Sequence, residues 1–253
     1  MTKPSKARVR LSFERAAPTY DSAAAIQRRI CDRLLDALPP LTVTRLLDAG
    51  CGTGYALPLL MKRFPQAQAI GLDLSPAMLQ RIAAPCCRIA GDLEHLPLAA
   101  ASLDLYWSSL AVQWCDLPAA LREARRLVRP GGALALASLG PETFGELRQA
   151  FADVDEYRHT LAFHSAEEVR IMASEAGLAA IDVQRRTELA HYSDFKSLLR
   201  SVKAVGANQV GLGRRTSLMS RSAFQRAEAA YEAQRTADGL PLTYDVITLH
   251  ART

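Results

Sequence analysis

The chain has 253 residues, 49% of them hydrophobic and 23% charged, with a formal net charge of +5 at pH 7. That supports one sizeable α/β core, while no run approaches the ~20 apolar residues a membrane-spanning helix needs. The basic excess is too mild for a nucleic-acid tail, and the five cysteines, with no Cys-x-x-Cys pair, read as free buried thiols in a reducing cytosol rather than as a metal centre.

In chain order, the basic start MTKPSKARVR has no apolar segment behind it, which predicts no secretory signal. Residues 1–40 read as a polar arm followed by a helix, with Ile26, Ile30, Leu34, Leu35 and Leu38 on one side and Pro39-Pro40 as the stop. A strand is predicted over Arg45–Ala49, then a helix from about Tyr55 to Phe64. The second strand, AIGLDLS, ends at Ser75, which caps the next helix with Pro76 in its first turn. A third strand covers Cys87–Ala90, with Cys86 and Cys87 on opposite faces, and a fourth, LDLYWSS, covers 103–109. Asp116 caps a helix running to Val128, RPGG at 129–132 makes a turn, and a fifth strand, ALALAS, leaves it. This alternation predicts a doubly wound, mostly parallel sheet with helices on both faces.

Beyond residue 140 the rhythm slackens. A helix over ETFGELRQAFADV leads into an irregular stretch, 153–164, and SAEE at 165–168 is a capping box for a helix ending near Gly177. A strand AAIDVQRR, a helix over 194–205, the loop GANQVGLGRRTS, a helix over SAFQRAEAAYEAQR and a closing strand LTYDVITLHA complete the chain. The expected organisation is one domain over 1–253: a helical arm to residue 40, a ligand-binding core over 41–140, and lid helices with closing strands over 141–253. The bases Arg200, Lys203, Arg214, Arg215, Arg221, Arg226 and Arg235 dominate the last quarter, either as a solvated surface or as a docking face for an acidic partner.

The stretch LLDAGCGTG carries the strongest signal. Gly50, Gly52 and Gly54 let a ligand approach bare main chain, and the next helix offers unpaired N–H groups. A dinucleotide fingerprint would space its third glycine one residue later, and its pyrophosphate would be repelled by Asp48. A ligand bearing an ammonium and a sulfonium would be attracted, as S-adenosylmethionine is. Asp73, closing the second strand, stands where an acid can hold both ribose hydroxyls. Asp92, closing the third, can accept from the adenine amine.

With GLDLS, GDLEHLPL, LDLYWSSLAVQW and VRPGG, this pattern resembles the class I S-adenosylmethionine-dependent methyltransferases over about residues 40–140. The resemblance implies a Rossmann-like seven-stranded sheet whose last strand is antiparallel. It also implies a cofactor site built from Asp48, Gly50, Cys51, Gly52, Gly54, Asp73, Leu74, Asp92, Leu93 and Ser108, with Trp114 packed beside the loop and no metal.

The outer segments SFERAAPTYDSAAAIQRR, LAVQWCDLPAAL, SLGPETFGELRQAFADVD, SLLRSVKAVGAN and LPLTYDV look like the malonyl-[acyl-carrier protein] O-methyltransferases of biotin synthesis, over about 8–250. That resemblance implies methylation of the free carboxylate of a malonyl thioester on an acidic acyl-carrier protein, in the cytoplasm. It implies catalytic roles for Tyr20, His159 and Lys203. The family's His-x-Asn-Arg-Phe reads HTLAF here: His159 and Phe163 match, while Leu161 and Ala162 replace the asparagine and arginine, leaving Arg158 or His164 as candidates to grip the carboxylate. The altered lid keeps open a methyltransferase for another acyl carboxylate or small molecule, and a non-catalytic cofactor-binding regulator is a further alternative. A nucleic-acid enzyme fits poorly, since SSLAVQW stands where amino-directed members carry a Pro-Pro-aromatic motif.

Overall fold

A computed structural model of the chain describes residues 4–205 and 219–253. In chain order the elements are α1 (Lys6–Ala16), α2 (Tyr20–Ala23), α3 (Ala25–Asp36), β1 (Arg45–Ala49), α4 (Ala56–Arg63), β2 (Gln68–Asp73), α5 (Pro76–Leu79), β3 (Cys87–Ala90) and β4 (Leu103–Ser109). There follow a 3-10 turn (Val112–Trp114), α6 (Leu117–Leu127), β5 (Val128–Leu139), α7 (Gly145–Phe151), α8 (Ala166–Glu175), β6 (Ala179–Tyr192), α9 (Phe195–Ala204), α10 (Arg221–Glu232) and β7 (Leu240–Arg252).

The seven strands form one sheet in the order β3-β2-β1-β4-β5-β7-β6. β1 pairs in parallel with both β2 and β4, and β7 runs antiparallel to both β5 and β6. Strands buried on both faces read as continuous apolar runs, and β4 is buried from Leu103 through Ser108. One face packs on Ile30, Leu34, Leu57 and Leu60 of α3 and α4, the other on Leu121, Ala124, Val169 and Ala173 of α6 and α8. The chain winds outward from β1 through β2 to β3, then returns to β4 on the other side. The crevice beyond the carboxyl ends of β1 and β4 is therefore the switch point where α/β sheets bind ligands.

The caps predicted at Ser75, Asp116 and Ser165 all form, and the last is a complete capping box. Several expectations are corrected. The start of the arm is itself helical, and α1 buries only Val9 and Ala16. RPGG lies inside β5, where the pairing skips from Leu103↔Val128 to Leu105↔Ala133 and the extra residues bulge outward. β6 runs 14 residues, well past Arg186, because β7 pairs with it along its whole length. The helix after β5 is delayed to Gly145 by Phe144, whose φ of 60° breaks the turn. All five thiols are free, but only Cys31, Cys51 and Cys115 are buried; Cys86 is half-buried and Cys87 is exposed on edge strand β3. The predicted loop 206–217, with Arg214 and Arg215, lies outside the described residues.

Candidate active site

β1 delivers Asp48 to the crevice almost fully buried. The chain then turns through Gly50, whose φ is +76° and where a Cβ would stand 2.2 Å from the Ala111 Cβ. Only glycine meets both conditions. The loop is clamped to the end of β2 by Gly50 N and Cys51 N, which donate to the Leu72 carbonyl at 2.7 and 2.9 Å. Asp73 holds it from the other side: its Oδ2 accepts from Gly52 N at 2.9 Å and its Oδ1 from Ser75 N at 2.8 Å. Burial raises the Asp73 pKa, and these two main-chain donors pull against it.

Asp48 lacks such donors. Its Oδ2 is buried without a partner, and burial, with the nearby Asp73 charge, pushes its pKa up to about 8. A buried carboxylate oxygen without a donor is costly unless a cation meets it. Asp92 has a cation already: Lys6 Nζ, reaching over from α1, lies 2.8 Å from its Oδ1 and 2.5 Å from Glu94 Oε1. Asp92, Glu94 and Cys115 are the one cluster with metal-ligand spacing among the described residues, and the Lys6 ammonium sits 2.8 Å from Asp92 and 3.6 Å from the Cys115 Sγ.

Three narrow cavities meet at Tyr20. One, under α1, is lined by Lys6, Gly52, Asp73, Leu74, Asp92 and Leu93. A second runs along Asp48, Gly50, Cys51 and Thr53 beneath Gln27 and Arg28. A third is lined by Phe13, Gln27, Gln113, Trp114, Phe144, Thr160, Leu161 and Tyr244, with no charged side chain among the described residues. Tyr20 belongs to all three. Burial first, then the charge of Asp73, raises its phenol pKa, so the hydroxyl stays protonated. The segment is tied to the glycine loop through Asp21, which accepts from Thr53 Oγ1 at 2.7 Å and pairs with Arg28 at 3.3 Å. Leu110, with φ 55°, ends β4 sharply and swings Gln113 and Trp114 over the crevice; Trp114 meets Phe13 of α1 edge-on at 5.7 Å.

The predicted site residues thus divide. Asp48, Gly50, Cys51, Gly52, Asp73, Leu74, Asp92, Leu93 and Tyr20 line the joined cavities. Gly54, with φ +87°, faces the side chains of Ile82 and Leu57. Ser108 is fully buried and donates to the Ala49 carbonyl at 2.7 Å, while its neighbour Ser109 lines the cavities. His159 stacks on Phe151 at 3.7 Å, with Nε2 at 2.8 Å from Asp155 Oδ1. It lines a separate cavity of about 470 Å³ with Arg148, Arg158 and Ala162. Lys203 is exposed on α9 and lines none of these cavities. Lys6, Gln27, Gln113 and Tyr244 went unread in the sequence. Gln27 had a signal: it is polar on a stripe of buried residues, Ala24, Cys31 and Leu34, at helical spacing.

The three carboxylates are acceptors spaced along one crevice. An ammonium beside Asp48 would partner its orphaned oxygen, a ribose diol suits Asp73, and an adenine amine suits Asp92. These residues fit S-adenosylmethionine.

A family model described as a methyltransferase domain matches residues 47–136. The chain is 73% identical over 251 residues to the malonyl-[acyl-carrier protein] O-methyltransferase of Dechloromonas aromatica (strain RCB), covering 99% of this chain and 96% of that one. It is 43% identical over 265 residues to the enzyme of the same name from Laribacter hongkongensis (strain HLHK9), covering 97% and 89%. Among solved structures, the [4+2]-cyclase SpnF matches with a TM-score of 0.65 at 19% identity, over 100% of this chain and 97% of that one, a likeness of fold alone.

Proposed function

Because the chain belongs to the malonyl-[acyl-carrier protein] O-methyltransferases, within the S-adenosylmethionine-dependent methyltransferases, we propose that it methylates the free carboxylate of a malonyl thioester carried on an acyl-carrier protein, giving the ester that primes pimeloyl synthesis for biotin. The observation that carries this reading is the junction at Tyr20, where an acid-lined cavity meets one whose described lining residues are all neutral.

S-adenosylmethionine supplies an electrophilic methyl carbon on a sulfonium, whose sulfur keeps the bonding electrons as a neutral thioether when the methyl leaves. The chain's own residues bind, orient and exclude water. Asp48, Asp73 and Asp92 would hold the cofactor's ammonium, ribose and adenine ends. A carboxylate acceptor, with an ordinary pKa near ~4, is ionised at neutral pH, so no base is needed. Aligning its oxygen with the methyl is the task, and positioning of this kind is worth up to roughly 7–11 kcal/mol in ideal cases. Tyr20, kept protonated, donates a hydrogen bond at the junction. Phe13, Trp114, Phe144 and Leu161 keep water out.

Thr160, Leu161 and Phe163 wall both the acceptor cavity and the cavity of about 470 Å³ beside it, which gives the thioester arm a route inward. His159 belongs to that route, shaping it through its stack on Phe151. The exposed Arg200, Lys203, Arg221 and Arg226 form the face that meets the acidic carrier. The free thiols of Cys31, Cys51 and Cys115 suit a cytoplasmic reaction, and among the described residues no helix is long and apolar enough to cross a membrane.

Incubation of the protein with methyl-labelled S-adenosylmethionine and malonyl-carrier protein, acetyl-carrier protein or RNA tests the reading. Base-labile label is expected on the malonyl thioester alone. Calorimetric binding of the cofactor with no transfer to any acceptor would overturn it in favour of a regulatory role.

A further inference from the structure

The cavity beside Asp48 collects three buried polar atoms with no hydrogen-bond partner among the described residues: Asp48 Oδ2, Gln27 Oε1 and Arg28 Nε. Two are acceptors, and the third is a donor on a cation. Unpaired polar atoms away from water are costly, charged ones most of all. Three on one cavity point to a guest that pairs with all of them. That guest brings N–H donors to the two oxygens and an acceptor, best an anion, to the guanidinium. An α-amino-acid group does both, since its ammonium carries three N–H donors and its carboxylate only accepts.

The position of the cavity identifies the molecule that carries this group. It shares Tyr20, Gly50, Gly52 and Ser109 with the cavity that holds Asp73 and Asp92. A cofactor whose nucleoside lies at Asp73 and Asp92 extends its methionine end here. Gln27 and Arg28 are consecutive on α3, across from the glycine loop. The guanidinium is held in place: its Nη2 donates to Asp21 Oδ1 at 3.3 Å, and its Cζ lies 5.1 Å from the centre of the Tyr55 ring. Those contacts leave the Nε–H for a guest.

Resting on the proposed reaction and its cofactor, we propose that Gln27 and Arg28 read the amino-acid end of S-adenosylmethionine: Gln27 Oε1 accepts from the ammonium beside Asp48, and Arg28 Nε donates to the carboxylate. A neutral oxygen suits the second acceptor position. A second carboxylate there would set two anions side by side and favour protonation of one, whereas an amide adds a hydrogen bond and leaves one anion facing one cation. Arg28 supplies the charge opposite the carboxylate. The site is thus the electrostatic complement of a zwitterion and selects against adenosine thioethers with an uncharged tail.

The test titrates S-adenosylhomocysteine, which binds without turnover, onto the parent, Gln27→Met and Arg28→Met by calorimetry. Two derivatives of it, one lacking the carboxylate and one lacking the amino group, are titrated in the same way, and Tm is measured without ligand. Arg28→Met should weaken S-adenosylhomocysteine about 10- to 100-fold, the range for one hydrogen bond to a charged group, and leave affinity for the derivative without a carboxylate unchanged. Gln27→Met should weaken S-adenosylhomocysteine about tenfold and leave affinity for the derivative without an amino group unchanged. The free Gln27→Met protein should melt no lower than the parent, because it loses a buried oxygen that nothing in the free protein satisfies. Should Arg28→Met fold poorly by its Tm, Arg28→Lys carries the test, keeping the charge without the Nε–H, with a smaller loss again confined to ligands that have the carboxylate. Equal losses with and without the matching group would overturn the inference, and so would unchanged S-adenosylhomocysteine affinity in a folded variant. Failure of the parent to methylate the malonyl thioester, with these binding patterns intact, would instead overturn the proposed reaction alone.

Discussion

Asp48, proposed to meet the cofactor's ammonium, works against the stability of its own fold. Burial lifts its pKa to about 8, against an unfolded value near ~3.9. The folded state therefore keeps a proton that the unfolded chain releases. Linkage then makes stability fall as pH rises from ~4 to about 8 and level off above. Asp48→Asn removes the titrating group. Its melting temperature, measured without ligand, should match the parent near pH 4 and exceed it by several degrees at pH 8, given about 2–4 °C per kcal/mol for a chain of this size. The same substitution should weaken the cofactor at least tenfold. In calorimetry at pH 7 in buffers of different ionisation enthalpy, the parent should release close to one proton on binding S-adenosylmethionine and the variant almost none. Equal proton release from both would remove Asp48 from the cation's site. The acids Asp48, Asp73 and Asp92 were legible in the sequence because each stands at or just beyond the carboxyl end of a predicted strand. Gln27 shows only as a polar break in the buried stripe of α3, and Tyr244 not at all, because the cavities they line are assembled from α3, β7 and the stretch after β5.

At the scale of elements, α1 is held by few contacts. It buries little apolar surface, and it is pinned at one end by Lys6 on Asp92 and Glu94 and at the other by Phe13 on Trp114. Segments with few buried contacts open locally at low free energy. α1 lines the cavity that holds Asp73 and Asp92, so on the proposed reading its opening admits the cofactor. Hydrogen exchange should show fast exchange over residues 6–16 in the free protein and clear slowing with S-adenosylhomocysteine bound, while β1 and β4 stay protected throughout. Protection of α1 that does not change with ligand would contradict a roof that opens. Elements whose burial comes from a continuous apolar run, such as β1 and β4, were read to the residue. α1 reads as a polar arm because its partners, Asp92 and Trp114, lie far along the chain. The RPGG segment likewise reads as a turn, since only the register of β4 against β5 makes it a bulge inside a strand.

For the whole molecule, the distribution of charge separates two ways of recognising substrate. On the proposed reading, the acceptor cavity, with no charged side chain among its described lining residues, takes the malonyl end, while the exposed bases on α9 and α10 meet the carrier. Exposed charges act over about 8–10 Å before salt screens them, so they change encounter more than chemistry. Arg200→Glu with Arg226→Glu should raise KM for malonyl-carrier protein several-fold and leave kcat, and KM for malonyl-coenzyme A, unchanged. Added salt should act on the parent in the same direction. Equal effects on both thioesters would place the carrier elsewhere. The most direct test of the whole account is the intact mass of malonyl-carrier protein after incubation with the protein and S-adenosylmethionine, followed by mild alkali. The account predicts a gain of one methyl group in place of a proton, located on the malonyl terminus and lost in alkali. No mass change, or a methyl group that survives alkali, would contradict it.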